Sequence, residues 1–165
     1  MKTLALSLMM FITLVGYSQN PISFALYQDA KLLTCNDDHG NKSPTLDILL
    51  KLKIPLYKTE MSYIVVNTNY EHADLFGGYY NRYSFGFGYV LDNLIVKNVE
   101  INFGADYGYI TRQHVGGLWS WGLSNEIAYK LTDKFKITIL NQFVQRSDIS
   151  TNKYSLFGGL EYKFN

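Results

Sequence analysis

The chain has 165 residues, 15 of them Lys or Arg and 14 Asp or Glu, and a formal net charge of +1. This balance argues against a nucleic-acid surface, which would appear as a basic excess. A single cysteine, Cys35, excludes an intramolecular disulfide and leaves a thiol that is buried, mobile in a loop or free for an intermolecular bond. We therefore expect one domain, with no nucleic acid among its partners.

The N-terminus has the features of an export signal. Lys2 gives a short basic start, residues 4–15 form an apolar run, and small residues occupy the −3 and −1 positions before Gln19. The run is shorter than the ~20 residues that cross a bilayer comfortably as a helix. We predict a signal peptide at residues 1–18 and a β-barrel domain at 19–165; a retained N-terminal helix is the alternative.

Eight segments of the mature chain alternate apolar and polar residues with the two-residue period of a β-strand. The first is weakly patterned, whereas the fifth clearly sets Ile101 and Phe103 against Asn102. An even number of strands is what single-chain bacterial barrels require. The predicted strands are 24–33, 46–56, 61–70, 79–91, 99–109, 119–131, 135–143 and 154–164.

The connections between these predicted strands fall into two length classes. Those after strands two, four and six are short, at 57–60, 92–98 and 132–134. Those after strands one, three, five and seven are longer on the whole, at 34–45, 71–78, 111–118 and 146–153. This asymmetry is typical of outer-membrane barrels, whose long loops face outside. We therefore predict that both termini are periplasmic.

The composition of the two strand faces predicts which of them points outward. The polar face mixes charges with glycines, and a solvated exterior would gain nothing from glycine, since glycine weakens a strand. In a narrow lumen the same glycines make room for long Lys, Arg and Glu side chains. On the apolar face, Tyr and Trp fall towards the strand ends, where they suit the headgroup level. We predict a membrane barrel; a soluble periplasmic lipocalin-like barrel with the apolar face inward is an alternative.

The last predicted strand ends in an aromatic pattern, Gly-x-x-Tyr-x-Phe, formed by Gly159, Tyr162 and Phe164. It resembles the C-terminal signal by which the outer-membrane assembly machinery recognises its clients. The chain as a whole is similar to the small eight-stranded outer-membrane proteins of Gram-negative bacteria, the class of outer membrane protein X and the membrane domain of outer membrane protein A. The resemblance implies an all-β, eight-stranded antiparallel up-and-down transmembrane β-barrel in the cell outer membrane. Its surroundings would be outer-membrane lipid and lipopolysaccharide.

Two predicted loops gather residues of metal-binding type. Structural zinc sites need four ligands at recognised spacings, and the rest of the first loop has the composition of a turn, so we expect a solvated loop there. The second loop fits either a divalent cation bridging lipopolysaccharide or an ordinary polar loop tip. The clusters are Cys35, Asp37, Asp38 and His39 in the first loop, and Glu71, His72 and Asp74 in the second. We assign no metal site and no cofactor.

A lipid-A-modifying enzyme is the alternative from another functional class. Small-barrel deacylases of this kind use a His-x-Ser pair with a carboxylate, the serine being the nucleophile and the histidine its base. His114 lies near a strand end and Glu126 on the next strand, but Gly116 occupies the nucleophile position. Ser120 and Ser124 lie on the polar face at a distance from His114 that spacing does not fix. We predict no catalytic residue.

A pore is not favoured, because eight strands enclose an interior about wide enough for side chains to fill. The interior charges should pair with one another, since an isolated charge there is costly. The sequence thus predicts a monomeric barrel with a structural or surface-interaction role, in which any surface partner is contacted through the loops.

Overall fold

Eight antiparallel strands form one closed barrel, in which each strand pairs with its neighbours in chain order and the eighth pairs with the first. This computed structural model describes residues 21–35, 41–75, 78–93, 96–113, 115–145 and 152–164, so the predicted signal peptide lies outside it. The eight-stranded up-and-down barrel expected from the sequence is confirmed. The strands are β1 (Ser23–Asp29), β2 (Asp47–Lys58), β3 (Ser62–Leu75), β4 (Gly78–Asp92), β5 (Val99–Arg112), β6 (Val115–Lys130), β7 (Phe135–Val144) and β8 (Lys153–Lys163).

The predicted first strand, 24–33, is wrong at its C-terminal end. β1 stops at Asp29 and a short helix, α1 (Ala30–Thr34), follows it. The Asp29 carboxylate accepts hydrogen bonds from the backbone N–H groups of Lys31 and Leu32 at 2.8 and 3.1 Å, which caps the helix. No helix in the described residues is long and apolar enough to cross a membrane.

The strands are unequal in length. β3 to β6 have 14, 15, 14 and 16 residues, whereas β1, β2, β7 and β8 have 7, 12, 10 and 11. The predicted loops 71–78 and 111–118 are therefore wrong, because most of their residues continue the strands. The β3–β4 ladder, for example, runs on to the pair Leu75–Gly78. We call the part of β3 to β6 that rises at this end, opposite the termini, the tall wall.

A β-bulge at Leu56 interrupts the β2–β3 ladder, because Leu56 has no cross-strand partner. A bulge redirects the side chains that follow it. Tyr57 beyond the bulge is 66% exposed on the outside of the barrel. Lys58 lines the lumen mouth at the termini end.

The two faces of the barrel have the orientation predicted from composition. Phe103 and Leu123 are each 51% exposed on the outer surface, whereas Lys51 is 3% and Glu126 is 1% exposed in the lumen. A soluble barrel would need the reverse arrangement, with charges outward and apolar side chains around a ligand. The lipocalin-like alternative is therefore contradicted.

Candidate functional site

A chain of alternating charges fills the lumen at the end where the termini lie. Its inner lysines each contact two carboxylates; Lys136 Nζ, for instance, lies 2.8 Å from Glu161 Oε1 and 2.7 Å from Glu100 Oε2. Four cations balance four anions, so each buried charge is compensated by its neighbours. In the order in which they contact one another, the groups of this alternating charge chain are Lys51, Glu126, Lys53, Glu161, Lys136, Glu100, Lys130 and Asp92.

A second ion pair lies further along the lumen. Arg82 of β4 pairs with Asp106 of β5, and its Nε donates to Ser120 Oγ at 2.9 Å. Gly122 leaves the space for this pair, since a Cβ atom there would lie 3.0 Å from Asp106 Oδ1 and 3.2 Å from Arg82 Nη2. The prediction that lumen glycines accommodate long charged side chains is confirmed at this position.

Lys153 occupies the lumen near the tall wall. Its Nζ lies 2.5 Å from Asp47 Oδ2, also contacts Glu71, and sits 5.0 Å from the centre of the Tyr80 ring. Ion pairs thus lie in the interior at three levels, and the prediction that the lumen is filled by its own charges is confirmed.

A cavity of about 240 Å³ opens at the termini end of the barrel. Lys58, Lys163 and Asp133 stand around its mouth, and the alternating charge chain contributes its inner lining. Those inner groups already bind one another, so ion pairs form the inner end of the cavity.

The outer surface carries an apolar band between two groups of aromatic rings. On β6, Trp119 and Trp121 lie towards one end and Tyr129 towards the other, with Leu123 and Ile127 between them, all exposed. The ten steps from Trp119 to Tyr129 span ~34 Å along the strand at a rise of ~3.4 Å per residue. At the ~40° tilt of such strands this is ~26 Å in height, which matches the ~25 Å apolar band of membrane barrels.

β6 extends past the end of β7 in the tall wall. The last β6–β7 pair is Gly122–Val144, after which the Gln145 N–H donates to the Trp121 carbonyl at 3.0 Å. In an antiparallel ladder, residues two apart direct their N–H and C=O groups to the same side. The N–H and C=O of Trp119 therefore point past the end of β7, and no residue that the structure describes pairs with them. We call this stretch, residues 118–120, the free β6 edge, meaning free of a β7 partner among the described residues.

Aromatic rings flank the free β6 edge on the outside. The Trp119 ring stacks on Tyr107, with ring centres 5.3 Å apart and planes 7° from parallel, and meets Tyr109 edge-on at 5.1 Å. The sequence did not reveal this site, because it depends on where β7 stops relative to β6.

The residues singled out as metal ligands do not come together. Glu71 lies on β3 and points inward to Lys153, whereas His72 and Asp74 lie outside, with His72 Nε2 3.5 Å from Asp74 Oδ1. The prediction that these three residues share a loop is wrong. Cys35 is exposed, which excludes the buried-thiol interpretation; Asp37, Asp38 and His39 are outside the described residues. Within the described ranges no group of three or more His, Cys, Asp and Glu is placed to hold a metal.

Two of the residues considered for catalysis, Glu126 and Ser120, bind partners in the lumen. Glu126 binds Lys51 and Lys53, and Ser120 accepts from Arg82. His114 lies outside the described residues. The lipid-A-modifying alternative therefore stays a hypothesis.

No family model matches the sequence, and no curated protein matches it significantly. Among solved structures, the Yersinia pestis outer membrane protein Ail in a phospholipid bilayer nanodisc is 14% identical, with a TM-score of 0.59 over 88% of this chain and 100% of Ail. Neisserial surface protein A is 12% identical, with a TM-score of 0.55 over 87% of this chain and 95% of that one. A de novo designed transmembrane β-barrel is 11% identical, with a TM-score of 0.50 over 88% and 96%.

At these low identities, the structural similarity shows a shared fold alone. It is the fold of a small eight-stranded transmembrane barrel, and the resemblance to small outer-membrane barrels predicted from the sequence is confirmed at that level.

Proposed function

We propose that this protein is a surface-interaction barrel that binds extended polypeptide segments at the free β6 edge. The observation that carries the proposal is the position of Trp119, whose backbone N–H and C=O point past the last paired residue of β7. An extended peptide adds a strand to such an edge, its backbone hydrogen bonds supplying affinity and its alternate side chains specificity.

Two further features support binding at this edge. The ladder with β5 holds β6 in an extended conformation, so the edge already has the backbone geometry that an added strand needs. The stacked Trp119 and Tyr107 rings offer a large contact area to the outward side chains of a docked strand. The bulge at Gly116 and Gly117, which face the single residue Thr111, limits the length of regular edge that a partner can use.

The test compares Trp119→Pro with Trp119→Ala in nanodiscs. Both lose the ring, but only proline removes the backbone donor, and it leaves the β5–β6 ladder intact because this N–H points away from β5. The probe is a fluorescent, reduced and carboxymethylated polypeptide, which cannot fold. We expect the wild type to bind it and Trp119→Pro to bind at least about tenfold more weakly than Trp119→Ala, as expected from losing a backbone bond. Equal binding by the two variants, or none by the wild type, contradicts the proposal.

We also propose the cellular setting of this surface. The barrel would lie in the outer membrane with both termini periplasmic, the assembly machinery acting on the tail 159–164 and lipopolysaccharide surrounding the half that carries the tall wall. In support, Tyr162 and Phe164 at the tail lie in the aromatic group nearest the termini, with ring centres 5.1 Å apart. Fractionation with detergent extraction tests the location.

A further inference from the structure

Two asparagines interrupt the apolar band on the outer surface of the barrel. Asn125 of β6 and Asn141 of β7 are direct cross-strand partners. Both lie on the outward face, since exposed Leu123 and Ile127 flank Asn125 at a spacing of two residues. The two breaks in the alternation therefore form a single polar patch.

The patch lies at the centre of the membrane. Asn125 is four residues from Trp121 in one aromatic group and four residues from Tyr129 in the other. Four residues span ~14 Å along a strand, or ~10 Å in height at the usual tilt. Because lipid headgroups lie outside the aromatic groups, hydrocarbon is all that lipid can offer at this depth.

The hydrogen-bonding capacity of the patch is largely unused. The Tyr154 hydroxyl lies 3.1 Å from Asn141 Oδ1. An amide has two N–H donors and an oxygen with two lone pairs, so this bond uses a single site on the pair. The described residues give the Asn125 amide and Asn141 Nδ2 no other partner. Even a bond between the two asparagines would leave most of their donors and acceptors facing hydrocarbon, which is costly.

We propose that this patch is the centre of an interface between two copies of the barrel, in which Asn125 and Asn141 of one copy bond to those of the other. A two-fold axis brings the same patch of both subunits together, and an amide complements itself because it both donates and accepts. The apolar rim, formed by Leu123, Ile127 and Ile139, packs as well against a second barrel as against lipid. The interface goes beyond the proposed peptide binding and replaces the monomer expected from the sequence.

The test measures association in lipid vesicles by energy transfer between separately labelled full chains over a range of protein-to-lipid ratios. We expect the wild type to associate and the double variant Asn125→Leu, Asn141→Leu to associate at least about tenfold more weakly. The same variant should unfold at an unchanged or higher denaturant concentration, because leucine suits hydrocarbon better than asparagine. Loss of association then cannot be attributed to misfolding.

Asn81→Leu is the matched control. Asn81 also lies on the outer surface, but on β4, where its Oδ1 accepts from the Tyr70 hydroxyl at 3.0 Å and lies 2.7 Å from His72 Nδ1. Its replacement should leave association unchanged. A wild type that stays monomeric at every ratio, or a double variant that associates like the wild type, overturns the proposal. So does a photo-cross-linker at position 139 that, in cells, captures a different protein and no second copy.

Discussion

Lys53 and Glu126 join opposite walls of the barrel. Lys53 lies on β2 and Glu126 on β6, strands that share no ladder and stand four apart in the ring. Glu126 also accepts from Lys51 at 3.2 Å, so one carboxylate holds two lysines of the same strand. Because this contact crosses the lumen, it braces the barrel in a direction that backbone pairing does not.

Glu126→Gln tests that brace. The change removes the charge that compensates Lys51 and half of the compensation of Lys53, and breaking a buried pair in this way costs ~3–5 kcal/mol. We expect a loss of that order in the free energy of unfolding, measured with urea in lipid vesicles. Asp133→Asn, at an exposed residue beside the same cavity, should stay within ~0.5 kcal/mol. Similar losses in the two variants would show that Glu126 holds nothing across the lumen.

The space beside the Arg82–Asp106 pair is tested by comparing two glycines. Gly122→Ala places a methyl group 3.0 Å from Asp106 Oδ1, and such overpacking costs ~1–3 kcal/mol. Gly158→Ala places one where no atom lies within 4 Å, so it should be neutral or slightly stabilising. Denaturant midpoints of the two variants decide, and a Gly158→Ala loss as large as that of Gly122→Ala would contradict the packing described.

The membrane position set by the aromatic groups predicts a dependence on depth. Phe103→Arg places a cation near mid-membrane, at a cost of ~2–4 kcal/mol, whereas Tyr129→Arg places one at the aromatic boundary, where the cost is ~0–1 kcal/mol. Both substitutions remove an aromatic ring that is exposed on the outer surface, so the loss of the ring does not distinguish them. Refolding yield and unfolding free energy in vesicles measure the difference. A larger loss for Tyr129→Arg than for Phe103→Arg would show that the centre of the membrane lies elsewhere along the barrel.

The tail can be separated from the aromatic group it belongs to. Tyr162→Ala with Phe164→Ala removes the proposed assembly signal, whereas Phe135→Ala removes a ring whose centre lies 5.0 Å from that of Tyr162 and leaves the tail intact. We expect the double variant to accumulate in the periplasm while the purified protein still refolds partly in detergent. Phe135→Ala should reach the outer membrane, and arrival of both at the wild-type rate would exclude an assembly role for the tail.

Strand number, orientation and lumen chemistry were predictable because a barrel wall repeats one local rule. The alternation of Ile101 and Phe103 with Asn102 is visible without knowledge of the neighbouring strands. The face that carries charges and glycines is the one that fits a narrow lumen. The end of β1 was missed for a local reason: the Asp29 carboxylate offers the next two N–H groups a partner, and this favours a helical turn over a further strand residue.

The tall wall and the free β6 edge were not predictable, because they depend on pairing between strands. Glu71 and His72 looked like loop residues from their polarity, yet Glu71 pairs with Arg82 across the β3–β4 ladder and His72 with Asn81. For the same reason the sequence alone does not bring Asn125 and Asn141 together. Only the β6–β7 register makes them neighbours.

The alternating charge chain also constrains the order in which the barrel can form. Lys53 finds Glu126 at a separation of 73 residues and Glu161 at 108, whereas Lys136 meets Glu161 within the β7–β8 hairpin. A sheet that lacked β8 would leave Lys53 and Lys136 each without their contact to Glu161. The charged face of such an incomplete sheet must therefore stay hydrated. Neutralising the interior and closing the β1–β8 seam are therefore one event, and we expect the last strand to dock late and cooperatively.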